Sequence, residues 1–175
     1  LAVTNYQLVT DQVNLHRRDY NLVPHVYPNG ESSYLISSGV FQINADLPFL
    51  YPVEIRSSGH TAVNGFSQYL SNYHSSKFSA YDSSSGSMHH LFLGGLSQYY
   101  YQNGTLVNDP NVPFVRTISR LTQGQDGSYQ EFVMANELPA LLGASAEFIH
   151  LETVPHYASE IIDLAALSAD SVLVG

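Results

Sequence analysis

Ser33-Tyr34-Leu35-Ile36-Ser37-Ser38-Gly39-Val40-Phe41 returns in outline as His90-Leu91-Phe92-Leu93-Gly94-Gly95-Leu96-Ser97, with Gly39 and Gly95 standing 56 residues apart. Each is a short apolar run that ends in glycine, the form a buried or half-buried strand takes before a tight turn. A second unit follows each of them: Phe49-Leu50-Tyr51-Pro52-Val53-Glu54-Ile55 after one, Val112-Pro113-Phe114-Val115-Arg116-Thr117-Ile118 after the other. A third unit pairs Lys77-Phe78-Ser79-Ala80-Tyr81-Asp82 with Ser159-Glu160-Ile161-Ile162-Asp163, and the terminal Ser171-Val172-Leu173-Val174-Gly175 is a fainter copy of the first. A chain that repeats strand units at such spacings builds repeated small sheets.

The remainder of the chain agrees. Strand-like runs are expected at Tyr20–Tyr27, Ser33–Gln42, Phe49–Arg56, Lys77–Asp82, His89–Tyr101, Pro113–Leu121, Tyr129–Met134 and Glu147–Leu151. Turn residues separate them at Pro28-Asn29-Gly30, Ser83–Gly86, Asn103-Gly104 and Gln125-Asp126-Gly127, the last a hairpin signal. Two segments carry helical spacing: Asn136–Gly143 as one capped turn, and Ser159–Leu167, which serves equally as a buried strand.

The glycine-ended strands, the strands that follow them and the aromatic-Asp strand together resemble kelch-type β-propellers of the galactose-oxidase-like kind. The string His16-Arg17-Arg18-Asp19-Tyr20-Asn21-Leu22-Val23-Pro24, the Ser38-Gly39 and Gly94-Gly95 turns, and Leu138-Pro139-Ala140-Leu141-Leu142-Gly143-Ala144 are similar to the carboxy-terminal half of bacterial propeller proteins without an established activity. The resemblance implies an all-β fold, a partial kelch-like propeller of about two to three blades, with approximate blades at 14–60, 66–135 and an incomplete 145–175. The chain departs from the kelch pattern in lacking Trp and in placing Ser38 at the first glycine of a pair. A single β-sandwich is the alternative.

Composition narrows the function. In 175 residues there are 6 Lys+Arg against 15 Asp+Glu, a formal charge of −9 that opposes binding to nucleic-acid phosphates or anionic membranes. Without Cys there is no disulfide framework, zinc ribbon, Cys nucleophile or iron–sulfur site. No apolar stretch approaches the roughly 20 residues of a spanning helix. The start at Leu1 and the end within the apolar run Val172–Gly175 lead to the expectation of a fragment whose open faces are covered by a second copy or by missing chain.

Six features are candidates for chemistry. His16, Arg18 and Asp19, in a tetrad with Arg17, form either an anion clamp or a structural cluster in which one arginine bonds loop carbonyls and pairs with Asp19. Arg116 and Arg120 share one face of a strand and either bind an anion or pair with carboxylates such as Glu131. Tyr99 and Tyr101, with Tyr100, Tyr69 and Tyr73, make a sugar-stacking platform or inter-sheet packing. His89 and His90 point to opposite faces of a strand, so one packs inside, the other meets solvent, and no metal or other cofactor is expected. Gly143-Ala144-Ser145-Ala146-Glu147 departs from the nucleophile-elbow pattern at its last position. Carboxylate pairs such as Asp46 with Glu54, or Glu152 with Glu160, have no spacing that defines a glycosidase site. The expected function is a non-catalytic extracellular or cell-surface binding or scaffold module for a glycan or protein. The rival is a glycoside-active propeller enzyme working with carboxylates and histidine.

Overall fold

The computed structural model describes residues 4, 6 and 8–168, so the terminal copy of the glycine-ended strand lies outside the described residues. The fold is all-β, built from antiparallel sheets that do not close into a barrel. β1 (Asn21–Val26), β2 (Ser32–Ser37), β3 (Val53–Arg56) and β4 (Gly59–Ala62) form a four-stranded meander in chain order. β5 (Ser76–Asp82), β6 (Ser87–Leu96), β7 (Tyr99–Gln102), β8 (Thr105–Asn108), β9 (Phe114–Gln123), β10 (Tyr129–Glu137) and β11 (Ile162–Asp163) follow. The second sheet runs β10-β9-β6-β5-β11, and β7-β8 is a separate hairpin inserted between β6 and β9.

The turn residues act as expected. Asn103 and Gly104 both have positive φ, 52° and 76°, the geometry of a two-residue hairpin turn whose twist suits the flanking strands. Gly127, at φ 84°, closes the β9–β10 hairpin. Three expectations are corrected and one open alternative is decided. His89–Tyr101 is not one strand, because the chain turns at Ser97-Gln98 to enter the β7-β8 hairpin. Glu147–Leu151 is not a strand and has no ladder partner among the described residues; Phe148 stacks on Phe78 instead. Asn136 and Glu137 finish β10, and the short 3-10 turn falls at Gly143–Ser145. In Ser159–Leu167 the strand alternative is the one taken: Ile162-Asp163 pairs in parallel with Ala80-Tyr81, and Asp163 then caps a 3-10 turn over Leu164–Ala166.

The repeat is present in the backbone itself. In the first sheet, Asp19 (φ 55°) precedes β1, Ser38 (φ 55°) and Gly39 (φ 92°) follow β2, and Arg18 exchanges two backbone hydrogen bonds with Val40. In the second sheet, His74 (φ 48°) precedes β5, Gly94 (φ 67°) and Gly95 (φ 88°) form a bulge in β6, and Tyr73 exchanges the same two bonds with Leu96. A Cβ on Gly95 would stand 2.5 Å from the Tyr73 carbonyl oxygen, so the close approach demands glycine there. The two corners are joined by a hydrogen bond from His74 N–H to the Asp19 carbonyl.

The inner faces of the two sheets meet in a core of Val23, Leu35, Phe92 and Leu121. Beside it runs a buried polar chain that crosses from sheet to sheet. Gln123 Nε2 faces only acceptors, Glu54 Oε1 at 3.2 Å and the Gly127 carbonyl at 3.3 Å, so Gln123 Oε1 faces His25 and accepts from His25 Nε2–H at 2.7 Å. His25 Nδ1 must then accept from His90 Nε2–H, at 2.8 Å, and His90 Nδ1 accepts from the Ser79 hydroxyl at 2.9 Å. Every bond in the row from Ser79 to Glu54 donates in one direction, and both imidazoles are neutral and fully buried. At its far end Glu54 also accepts from Tyr129 OH and pairs with Arg56, which lies 3.5 Å above the Tyr27 ring.

Burial pulls His25 down to about 4 from an ordinary 6.5 and moves His90 in the same direction, with the neighbouring histidines adding to the effect on His90. The unfolded chain therefore binds protons that the folded chain refuses between about pH 6.5 and pH 4, so stability falls as pH falls through that window. Urea unfolding at about pH 7 and about pH 4.5 will show a loss of roughly 2–3 kcal/mol attributable to His25 alone. A His25→Gln, His90→Gln double variant will be less stable at neutral pH but will lose most of this slope; an equal slope in the variant would remove the histidines as its cause.

Candidate ligand-binding cleft

The two ends of the sheets are built differently. At one end the strands are joined by short turns at 27–31, 57–58, 83–86 and 124–128. At the other, long connections gather at 38–52, 63–75, 97–113 and 138–146. Long loops on a rigid sheet are where recognition groups are usually carried. These loops are held by side chains that satisfy their backbone. Asn72 Nδ2 donates to the carbonyls of Gly94 and Thr117, and Asn21 Nδ2 donates to the Asn72 carbonyl. The Glu131 carboxylate, reaching from β10, accepts from the N–H groups of Tyr69 and Leu70, both at 2.9 Å.

At this end a cavity of about 350 Å³ opens between the β7-β8 hairpin, the start of β9 and the end of β10. Tyr100, Tyr101, Gln102 and Asn103 form the hairpin wall, with Phe114, Arg116 and Glu137 opposite. Phe114 is half-exposed, as is Leu141 beside it. Arg116 donates from Nε to the Leu138 carbonyl at 2.6 Å and sets Nη2 3.6 Å from the Glu137 carboxylate. Both side chains remain nearly half exposed, so this long ion pair leaves donors and acceptors at the surface. Aromatic rings beside a guanidinium, a carboxylate and two amides supply apolar faces and hydrogen-bonding edges together, the set that recognises a polyhydroxylated ring.

The structure brings Tyr101 and Arg116 to this cleft, while Tyr99 does not line it and has its ring 5.0 Å from Tyr69 in an edge contact. The other expected residues are distributed differently. Arg17 is the arginine of its tetrad that bonds loop carbonyls, those of Asn14, Ser38 and Tyr51, with its guanidinium 4.0 Å from the Phe49 ring. Desolvation lowers it to about 10, still charged at neutral pH. Asp19 does not pair with it; its carboxylate lies 3.9 Å from His74, and both line a smaller cavity of about 230 Å³ at the same loop end. Arg18 lies at the surface near the Phe41 ring, and His16 Nδ1–H donates to the Phe41 carbonyl. His16 and Arg18 thus both reach Phe41, while Asp19 faces His74. Arg120 sits mid-strand over Phe132 and does not meet Glu131, because Glu131 lies opposite Leu121 in register and turns to the Tyr69–Leu70 backbone.

His90 packs inside and His89 reaches Thr122 on the outer face. The pairing of His25 with His90 went unread in the sequence. Nothing local says that two histidines 65 positions apart will touch. Ser79 and His90 have the connectivity of a nucleophile and its base, yet Ser79 is 3% exposed and burial leaves His90 a poor proton acceptor. Among the described residues no cluster of three or more His, Cys, Asp or Glu is placed to hold a metal ion. Among the described residues no helix is long and apolar enough to cross a membrane.

Compared with known proteins, the chain matches no family model, no curated protein and no solved structure. The Glu131 clamp is directly testable. Glu131→Ala leaves two loop N–H groups without their charged acceptor and will cost about 2 kcal/mol in urea unfolding. It will also raise amide exchange at Tyr69 and Leu70; unchanged exchange there would deny the clamp its role.

Proposed function

We propose that the chain is a non-catalytic binding module of β-propeller type, acting outside the cell or at its surface, that holds a glycan in the cleft of Tyr101, Phe114, Arg116 and Glu137. The observation that carries this reading is the meeting of aromatic faces with cationic, anionic and amide groups at the end of the sheets where the long connections gather. The propeller architecture is supported by the repeated left-handed corners, by β1 and β5 lying side by side as the first strands of two meanders, and by β11 running parallel beside β5. In that arrangement β11 opens a further blade, and a second copy or further chain covers the remaining sheet faces.

Titration with a panel of neutral and uronic-acid oligosaccharides, read by calorimetry, will find a ligand whose affinity drops about tenfold in Tyr101→Ala. Arg116→Ala will cost about tenfold or more. An unaltered affinity in both variants would remove the cleft from the reading. The rival enzyme has Glu147, Glu160 and His150 around a second cavity beside β1 and β5 in its favour. Release of new reducing ends from the same panel, abolished by Glu147→Gln or Glu160→Gln, would replace binding by hydrolysis. Light scattering over a dilution series will give a mass above 19.3 kDa that resists dilution. A stable monomer would leave the sheets as a self-contained sandwich.

A further inference from the structure

β5 carries β11 on its outer edge only at Ala80 and Tyr81. Immediately before β11 the chain turns away: Glu160 has φ 61°, and its N–H donates to the Tyr157 carbonyl. The same edge of β5 over Lys77, Phe78 and Ser79 therefore has no strand partner among the described residues, and these three residues line a cavity of about 320 Å³. Leu22, Val23 and Pro24 of β1, which pairs with β2 alone among the described residues, line the same cavity. Phe148, stacked on Phe78 with ring centroids 4.3 Å apart, forms an apolar floor. Glu147 and Glu160 line the cavity together with the single ammonium of Lys77.

We propose that this groove docks an extended segment of a partner protein, which adds to the open edge of β5 in line with β11 and carries alternating apolar and basic side chains. The edge already accepts a strand two residues further along, so an incoming segment continues an existing ladder. An open strand edge offers backbone N–H and C=O groups to any extended chain, and alternate side chains then read the surface on either side. At about 3.3 Å per residue the free edge takes three or four residues. The apolar side chains of that segment meet Phe78 and Phe148. Two carboxylates against one ammonium, in a chain of charge −9, select cationic side chains on the others.

The test uses a capped six-residue peptide of alternating valine and lysine, titrated into the full chain and followed by amide chemical shifts and hydrogen exchange. Saturable shifts and slowed exchange centred on Lys77–Ser79 are expected. Phe148→Ala, or Glu147→Lys with Glu160→Lys, will weaken binding about tenfold, and a valine–glutamate peptide will bind at least about tenfold more weakly than the valine–lysine one. A valine–lysine peptide N-methylated at alternate residues, which cannot complete a ladder, will not bind. Equal binding by the N-methylated peptide, or no saturable shift up to about 1 mM, would overturn strand addition. A dimer in light scattering that Phe148→Ala dissolves would assign the groove to a second copy and overturn the partner segment.

Discussion

A row of buried hydrogen bonds centred on two neutral imidazoles, His90 to His25, ties the sheets together, and much of the interior is arranged to permit it. Both rings are wholly buried, so each of their four nitrogens needs a partner. Ser79, Gln123 and the opposite histidine supply them. Because Gln123 is oriented by Glu54 and the Gly127 carbonyl, the row of donors has one direction. A slip of one residue in β1 or β6 would turn a histidine to the other face and leave its partners unpaired. The apolar cluster of Val23, Leu35, Phe92 and Leu121 supplies the burial, and the polar row specifies how the two sheets meet.

The corners impose the second constraint. Each meander starts and bends through residues with positive φ, and each corner is closed by a two-bond bridge, Arg18 with Val40 and Tyr73 with Leu96. These corners send the connections at one end of the sheets into long loops, whose backbone is then satisfied by Asn21, Asn72 and Glu131. The cleft is thus framed by held loops and strand ends, a geometry that needs little ordering when a ligand arrives.

Cations are scarce, and the fold places most of them on aromatic rings. Arg17 lies over Phe49, Arg18 near Phe41, Arg56 over Tyr27 and Arg120 over Phe132. Arg116 and Lys77 are placed instead on the walls of two separate cavities. The acidic excess is partly absorbed by backbone: Asp82, Asp109 and Asp126 cap their own turns, and Glu131 caps a neighbouring loop.

Alternation and turn chemistry were enough to read the all-β class, the turn at Asn103-Gly104, the hairpin at Asp126-Gly127, and the kinship of Ser38-Gly39 with Gly94-Gly95, because these depend on residues close together in the chain. They were also enough to put Arg116 and Arg120 on one face and His89 and His90 on opposite faces. They missed β4 and β8, whose Gly-His-Thr-Ala and Thr-Leu-Val-Asn are too short to signal a strand, and they misread Glu147–Leu151, whose alternation has no strand to pair with among the described residues. Side-chain period assigns a face within a strand and carries no information about which strand lies opposite. The folded chain therefore decided that Tyr101 meets Arg116, that His25 meets His90, and that Glu131 holds a loop where an arginine was expected.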